Sequence, residues 1–210
     1  ITERLVGSEM CIRDSDNSAT LYASHITAPA ITGTNFSTLN YAGFTGTEWP
    51  VGNFISSSTY IEIAIKADAG YKVDLASLKY AYFPYDGSQG PRKYQVRYSK
   101  ESSFPSNGTL LSDVQIPSYS KTNVDVNFPT GVFLLPGETM YIRFYGYDRG
   151  NSWSGARWSL LSSHPDVNNG SFYTPTIIGK VSTYVPTIKA NDDTATTVSY
   201  THLRAHETLS

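Results

Sequence analysis

Cysteine is all but missing from this sequence: Cys11 is the only one in 210 residues. An internal disulfide framework and a cysteine-ligated metal centre are therefore excluded, although the scarcity fixes no redox compartment. A charge excess is missing too. Sixteen Lys plus Arg stand against 18 Asp plus Glu, for a net charge of −2. With no basic patch or polybasic run, nucleic acid is not an expected partner. No apolar stretch approaches the roughly 18–20 residues of a transmembrane helix, so no membrane insertion of that kind is expected. Glu, Lys and Leu are scarce as well, which disfavours helices.

The signatures of catalysis are also lacking. A glycosidase needs two facing carboxyl groups at a set separation, one with a raised pKa. Outside the chain ends the glutamates are Glu48, Glu62, Glu101 and Glu138. Glu62 lies on an alternating strand, Glu48 and Glu138 sit by turns, and Glu101 follows Lys100 in a loop. His25 and His164 are the histidines available to a Ser-His-Asp arrangement, and neither lies near a G-x-S-x-G elbow. There is no HExxH and no phosphate-binding glycine loop. The chain reads as a non-enzyme.

One dense group of ligand-type residues remains, THLRAHE at Thr201–Glu207. Two histidines four apart suit zinc on a helix, but the preceding PTIKANDDTATTVSY has no helical apolar stripe. Back-translation offers another origin. One DNA string encodes LVGSEMCIRDS (Leu5–Ser15) on one strand and VSYTHLRAHET (Val198–Thr208) on its complement. That string resembles the transposase adapter of sequencing libraries. Residues 1–15 and 198–210 are accordingly set aside as adapter-derived, together with Cys11 and the histidine pair. The expected organisation is a sandwich domain over 16–185 and a linker over 186–197 entering a truncated repeat.

What the chain does have is tyrosine, glycine and proline, 16, 16 and 11 of them, a balance that favours strands and turns. Period two recurs. TYIEIAIKA sets Ile61, Ile63 and Ile65 against Glu62, Ala64 and Lys66. RKYQVRYSK sets Tyr94, Val96 and Tyr98 against Lys93, Gln95 and Arg97. KTNVDVNF sets Val124, Val126 and Phe128 against Asn123, Asp125 and Asn127. TMYIRFYGY sets Met140, Ile142 and Phe144 against Tyr141, Arg143 and Tyr145. SLKYAYFPY is apolar on both faces and suits a central strand. ARWSLL and PTIIGKVSTYV add late strands, and short ones are expected near Leu21 and Leu39. The turn clusters DAGYK, YDGSQGP, FPSNG, FPTG, LPGE, DRGNSWSG and HPDVNNG separate them. Strands with one apolar face at this spacing predict an all-β, two-sheet antiparallel β-sandwich without helices.

Four segments, YIEIAIKADAGYKVDLASLKYAYF, GPRKYQVRYS, ETMYIRFYGYDRG and PTIIGKV, follow one another in the order of a known pattern. Over Tyr60–Val181 the chain resembles a jelly-roll-like domain common in large secreted or surface proteins of Bacteroidetes and other environmental bacteria. SSHPDVNNGSFYTP departs from that pattern as an inserted loop. The resemblance implies an extracellular or cell-surface location and a non-catalytic accessory role, with neighbouring modules of the same chain as partners. It supplies no ligand residue. PTIKANDDTATT resembles the opening of a cadherin-like or bacterial immunoglobulin-like repeat. Its Asp192 and Asp193 are the candidate ligands for an interdomain Ca2+, set against ordinary solvation; no other cofactor is expected.

The richest polar-aromatic stretch is YIRFYGYDRGNSWSGARW. Tyr145, Tyr147 and Trp153 offer flat apolar faces, and Asp148, Arg149 and Asn151 can bond hydroxyl groups, the pairing that recognises a polysaccharide or surface glycan. Trp158 falls in register with Ala156 and Leu160 and is expected in the core. A second candidate is one outward face made of Gln95, Arg97, Tyr141, Arg143, Tyr145 and Arg157, against which stands the ordinary solvated face of a sandwich. Two roles therefore stand level, an adhesive or accessory ligand-binding module and a structural spacer. A polysaccharide-degrading hydrolase is a distant third.

Overall fold

The computed structural model describes residues 11–12, 19–20, 24–34, 36–39, 43–84, 90–116, 120–150, 157–161 and 171–186. Among these the chain forms strands and one short 3-10 turn, Pro105–Asn107, with no α-helix. In chain order the strands are β1 (Cys11–Ile12), β2 (Ala19–Thr20), β3 (Ile26–Thr27), β4 (Thr32–Thr34), β5 (Phe36–Leu39), β6 (Gly43–Gly46), β7 (Tyr60–Ala67) and β8 (Tyr71–Pro84). They continue as β9 (Pro91–Ser99), β10 (Thr109–Gln115), β11 (Thr122–Asn127), β12 (Phe133–Leu134), β13 (Thr139–Arg149), β14 (Trp158–Leu161) and β15 (Thr176–Thr183).

Two sheets result. The first runs β10-β9-β13-β7-β3 with β4 also on β7; the second runs β11-β8-β14-β6-β5 with β12 and β15 also on β8. All their pairings are antiparallel. Between β4 and β14 the chain changes sheet after β4, β6, β7, β8, β10, β12 and β13. That alternation makes the sandwich jelly-roll-like. Apart from it, β1 and β2 form a two-residue ladder.

Period two decides what faces inward. Ile61, Ile63 and Ile65 of β7, Tyr94 and Val96 of β9, and Ile142 and Phe144 of β13 meet Leu78, Tyr80 and Tyr82 of β8 in one buried cluster. Trp158 sits among the rings, 4.9 Å from Tyr94 and 5.9 Å from Tyr82 between centroids. Trp49 meets it edge-on at 6.1 Å. Burial at about 25 cal/mol per Å2 makes rings of this size the largest single contributors to such a core. β8 is covered on both faces, as its apolar pattern predicts: Ala81, Phe83, Leu161 and Phe172 form a second, smaller cluster.

Alternation identified β7, β9, β11 and β13 with their correct inward faces. β10 was not anticipated from TLLSDVQ, because a register shift between Leu110 and Ser112 breaks its period and leaves Leu110 exposed. The strand expected near Leu39 is β5; Leu21 lies outside the described residues.

Two tyrosines give this core a pH limit. The Tyr80 and Tyr94 hydroxyls share a 2.9 Å hydrogen bond. Burial above all pushes both phenols far up, and the bond and mutual repulsion raise Tyr94 further. A folded pKa above the unfolded value of about 10 means stability is complete below pH ~10 and lost as pH rises towards the folded value. In an alkaline titration, tyrosinate absorbance from these rings should appear together with loss of the sheet circular dichroism. Ionisation of every tyrosine while the sheets stay intact would contradict it.

Candidate functional site

The end of β13 is where the sequence placed a binding loop, and the strand there continues to Arg149. Tyr145, Tyr147 and Arg149 are 0, 5 and 7 % exposed, so they are packing residues of the strand and not a ligand-facing loop. Tyr145 is covered by Tyr60 and Phe104. The Tyr147 hydroxyl donates to Asp113 Oδ1 at 2.8 Å. Burial and that carboxylate push its pKa up to about 12. Asn151, Trp153, Asp192 and Asp193 lie outside the described residues, as do His164 and Thr201–Glu207.

Asp148 is the residue of this group that organises a surface. Its φ of 56° is left-handed, a region that aspartate tolerates better than most residues. Arg92 straddles it: Nε donates to the Asp148 carbonyl at 3.0 Å and the terminal nitrogen to Oδ1 at 2.9 Å. Lys93 Nζ lies 3.5 Å from Oδ2 and donates to Asn53 Oδ1 at 2.7 Å. The Asp148 and Arg149 amides donate to Gly52 O and Pro50 O at 3.1 and 3.0 Å. The loop 50–54 is thereby stitched to the end of the first sheet.

That loop carries Phe54, 64 % exposed and the largest apolar group the described surface presents at this end. Its ring lies on Gly52, where an added Cβ would fall 2.2 Å from Phe54 Cε1. The ring thus packs closely on the Gly52 backbone, and Val51, half exposed, stands on the same loop. Phe54 had no signal in the sequence, since VGNF reads as a turn.

The second expected surface forms in part. Register sets Arg143 opposite Arg97 and Tyr145 opposite Gln95, with Tyr141 opposite Ser99. Arg157 precedes β14 and belongs with the other sheet. Yet the face is not open. Arg143 is 8 % exposed, its guanidinium between the Tyr60 and Phe104 rings at 4.0 and 4.1 Å. It donates to Glu62 at 2.6 Å and to Ser102 O at 2.8 Å. The Tyr145 hydroxyl is buried beside the Arg143 guanidinium. Next to it a string of bonds runs from Tyr147 to Asp113, from Gln95 to Asp113, and from Arg97 to Gln95 and on to Gly108 O at 3.1 Å. This face is a clamp on the loop Glu101–Gly108.

No protein-family model matches the chain, and neither does any curated protein. Among solved structures, the K1 cleaved adhesin domain of Lys-gingipain from Porphyromonas gingivalis is 12 % identical, with TM-score 0.38 over 78 % of this chain and 93 % of that one. A family 35 carbohydrate-binding module from an environmental isolate is 13 % identical, with TM-score 0.32 over 67 % and 88 %. A Stig cyclase from Fischerella sp. is 12 % identical, with TM-score 0.35 over 83 % and 98 %. Likeness at these scores carries no argument about ligand or role.

Proposed function

We propose that this sandwich is a non-catalytic, extracellular binding module of a larger bacterial surface or secreted protein, and that it takes a polysaccharide or surface glycan on the Phe54 platform. The observation that carries the reading is the pinned, outward ring of Phe54 on a loop tied to Asn53, Lys93, Arg92 and Asp148. Sugar rings present C–H faces to an aromatic and hydroxyls to planar amide, guanidinium and carboxylate groups. A ring fixed before the ligand arrives has little left to lose in ordering. Glu62 and Glu138 are each engaged by a cation, which fits binding better than acid–base chemistry.

The test is affinity electrophoresis of the full chain through gels containing soluble bacterial, plant and algal polysaccharides. Retardation by at least one polymer is expected. Phe54→Ala should weaken it about tenfold, roughly 1.4 kcal/mol, at unchanged melting temperature because the ring is exposed. If no polymer retards the wild type, or Phe54→Ala is retarded equally, the platform is not a glycan site and the spacer role takes its place.

A further inference from the structure

At the far end of β9 from the platform, about 20 Å away at ~3.3 Å per residue, a cleft of about 480 Å3 opens between the two sheets. Cavities that hold small molecules span roughly 300–1,000 Å3. Its apolar lining is Val132, Pro105 and the rings of Tyr98 and Phe133, with the buried core residue Met140 behind them. Ser99, Ser106 and Thr109 also border it, the Ser99 hydroxyl accepting from the Glu101 amide at 3.0 Å.

The rings are held in place. Tyr98 packs edge-on against Phe128 with centroids 5.6 Å apart. Phe133 lies under the ammonium groups of Lys72 and Lys100, at 4.6 and 5.0 Å. Those charges are met: Lys72 pairs with Asp74 at 2.6 Å and Lys100 with Glu138 at 2.5 Å. Burial pushes the Tyr98 phenol up, keeping its hydroxyl neutral. The lining thus offers apolar faces, hydroxyls and compensated charge, and what complements it is an uncharged ring bearing hydroxyl groups.

One wall of the cleft is preset. Phe104, Ser106 and Asn107 have φ of 53°, 51° and 62°, a left-handed conformation that non-glycine residues adopt at a cost. The clamp on the outer face of the first sheet holds them there: Arg143 bonds Ser102 O and lies on Phe104, and Arg97 bonds Gly108 O. A wall fixed before binding leaves a ligand little ordering cost to meet there.

We infer that this cleft is a second binding site, separate from the Phe54 platform, which takes one neutral sugar ring. The ring's C–H face lies against the Tyr98 ring, and its hydroxyls meet those of Ser106 and Thr109. The test is an amide NMR titration of the isotopically labelled full chain with the methyl glycosides of glucose, galactose, mannose, xylose and N-acetylglucosamine. Saturable shifts are expected at Ser99, Ser106, Gly108 and Gly131, with Gly52 and Asn53 unmoved. Thr109→Arg, at an exposed position on the rim, should weaken binding at least tenfold while the melting temperature holds; Thr109→Trp provides the same block without charge. No saturable shift at those amides for any glycoside would overturn the inference. So would shifts confined to Gly52–Phe54, or full affinity in both Thr109 variants. Because the two sites report on different amides, loss of one reading leaves the other standing.

Discussion

Arg143→Ala is expected to destabilise the domain by about 3–5 kcal/mol in urea unfolding, the range for removing one partner of a buried ion pair. The guanidinium is nearly closed from water and bonded to Glu62 Oε2 and Ser102 O. Burial alone would lower its pKa, but the bond and charge of Glu62 outweigh that and raise it. Alanine leaves the Glu62 carboxylate without its partner, empties the slot between Tyr60 and Phe104, and frees the Ser102 carbonyl. The effect comes from the orphaned charge more than from the value of the pair, which a double variant can separate. Arg143→Met with Glu62→Leu removes both charges and should recover most of the loss. A loss below about 1 kcal/mol for Arg143→Ala would show that water reaches the pair and that the clamp is a surface contact. The same variant should increase hydrogen exchange of the Phe104 and Gly108 amides, because Arg143 ties sheet to loop.

How much of this could be read in advance follows from where each cause lies along the chain. Alternation is a local property, so the inward faces of β7, β9 and β13 were legible, and with them the outward set Gln95, Arg97, Tyr141, Arg143 and Tyr145. What lies over a face is not local. The Phe104 ring reaches Arg143 from a turn that reads only as FPSNG, and it converts an expected ligand surface into a buried clamp. Asp148 was legible as a polar residue at a strand end. Its partners Arg92, Lys93 and Asn53 come from two other segments, joined by the β9–β13 register and the stitching of the loop 50–54. The platform was illegible for a related reason. Phe54 sits in a glycine-bearing turn without period, and its exposure depends on contacts with the end of β13. The cleft likewise needs β9, β12, β13 and the loop before β10 at once, a meeting that no single stretch of sequence shows.

The second large effect is expected where two glycines hold one tryptophan. Trp49 is fully buried, its Nε1 donating to Gly46 O at 2.8 Å. Gly46 lies in β6 of one sheet and Gly146 in β13 of the other, so the indole spans the space between them. A Cβ on Gly46 would fall 2.0 Å from Trp49 Cζ2, and one on Gly146 would fall 2.8 Å from Trp49 Cδ2 and 2.9 Å from Pro91 Cγ. Overpacking a closed core costs about 1–3 kcal/mol and sometimes more. The 2.0 Å overlap puts Gly46→Ala at or above the top of that range, with Gly146→Ala below it. Gly131→Ala is the control: it has φ of +87° and nothing within 4 Å, so backbone strain alone should cost about 1–2 kcal/mol. If the cause is the indole, Trp49→Phe should recover part of the Gly46→Ala loss, a coupling readable in a double-mutant cycle. Equal losses for Gly46→Ala and Gly131→Ala, with no coupling to Trp49, would locate the cost in the backbone instead. Because Trp49 leads directly into Pro50 and the stitched loop, an indole pushed aside at Gly46 should also turn the Phe54 ring off Gly52. Gly46→Ala should then lose polysaccharide retardation at temperatures where the chain is still folded, and Trp49→Phe should restore it.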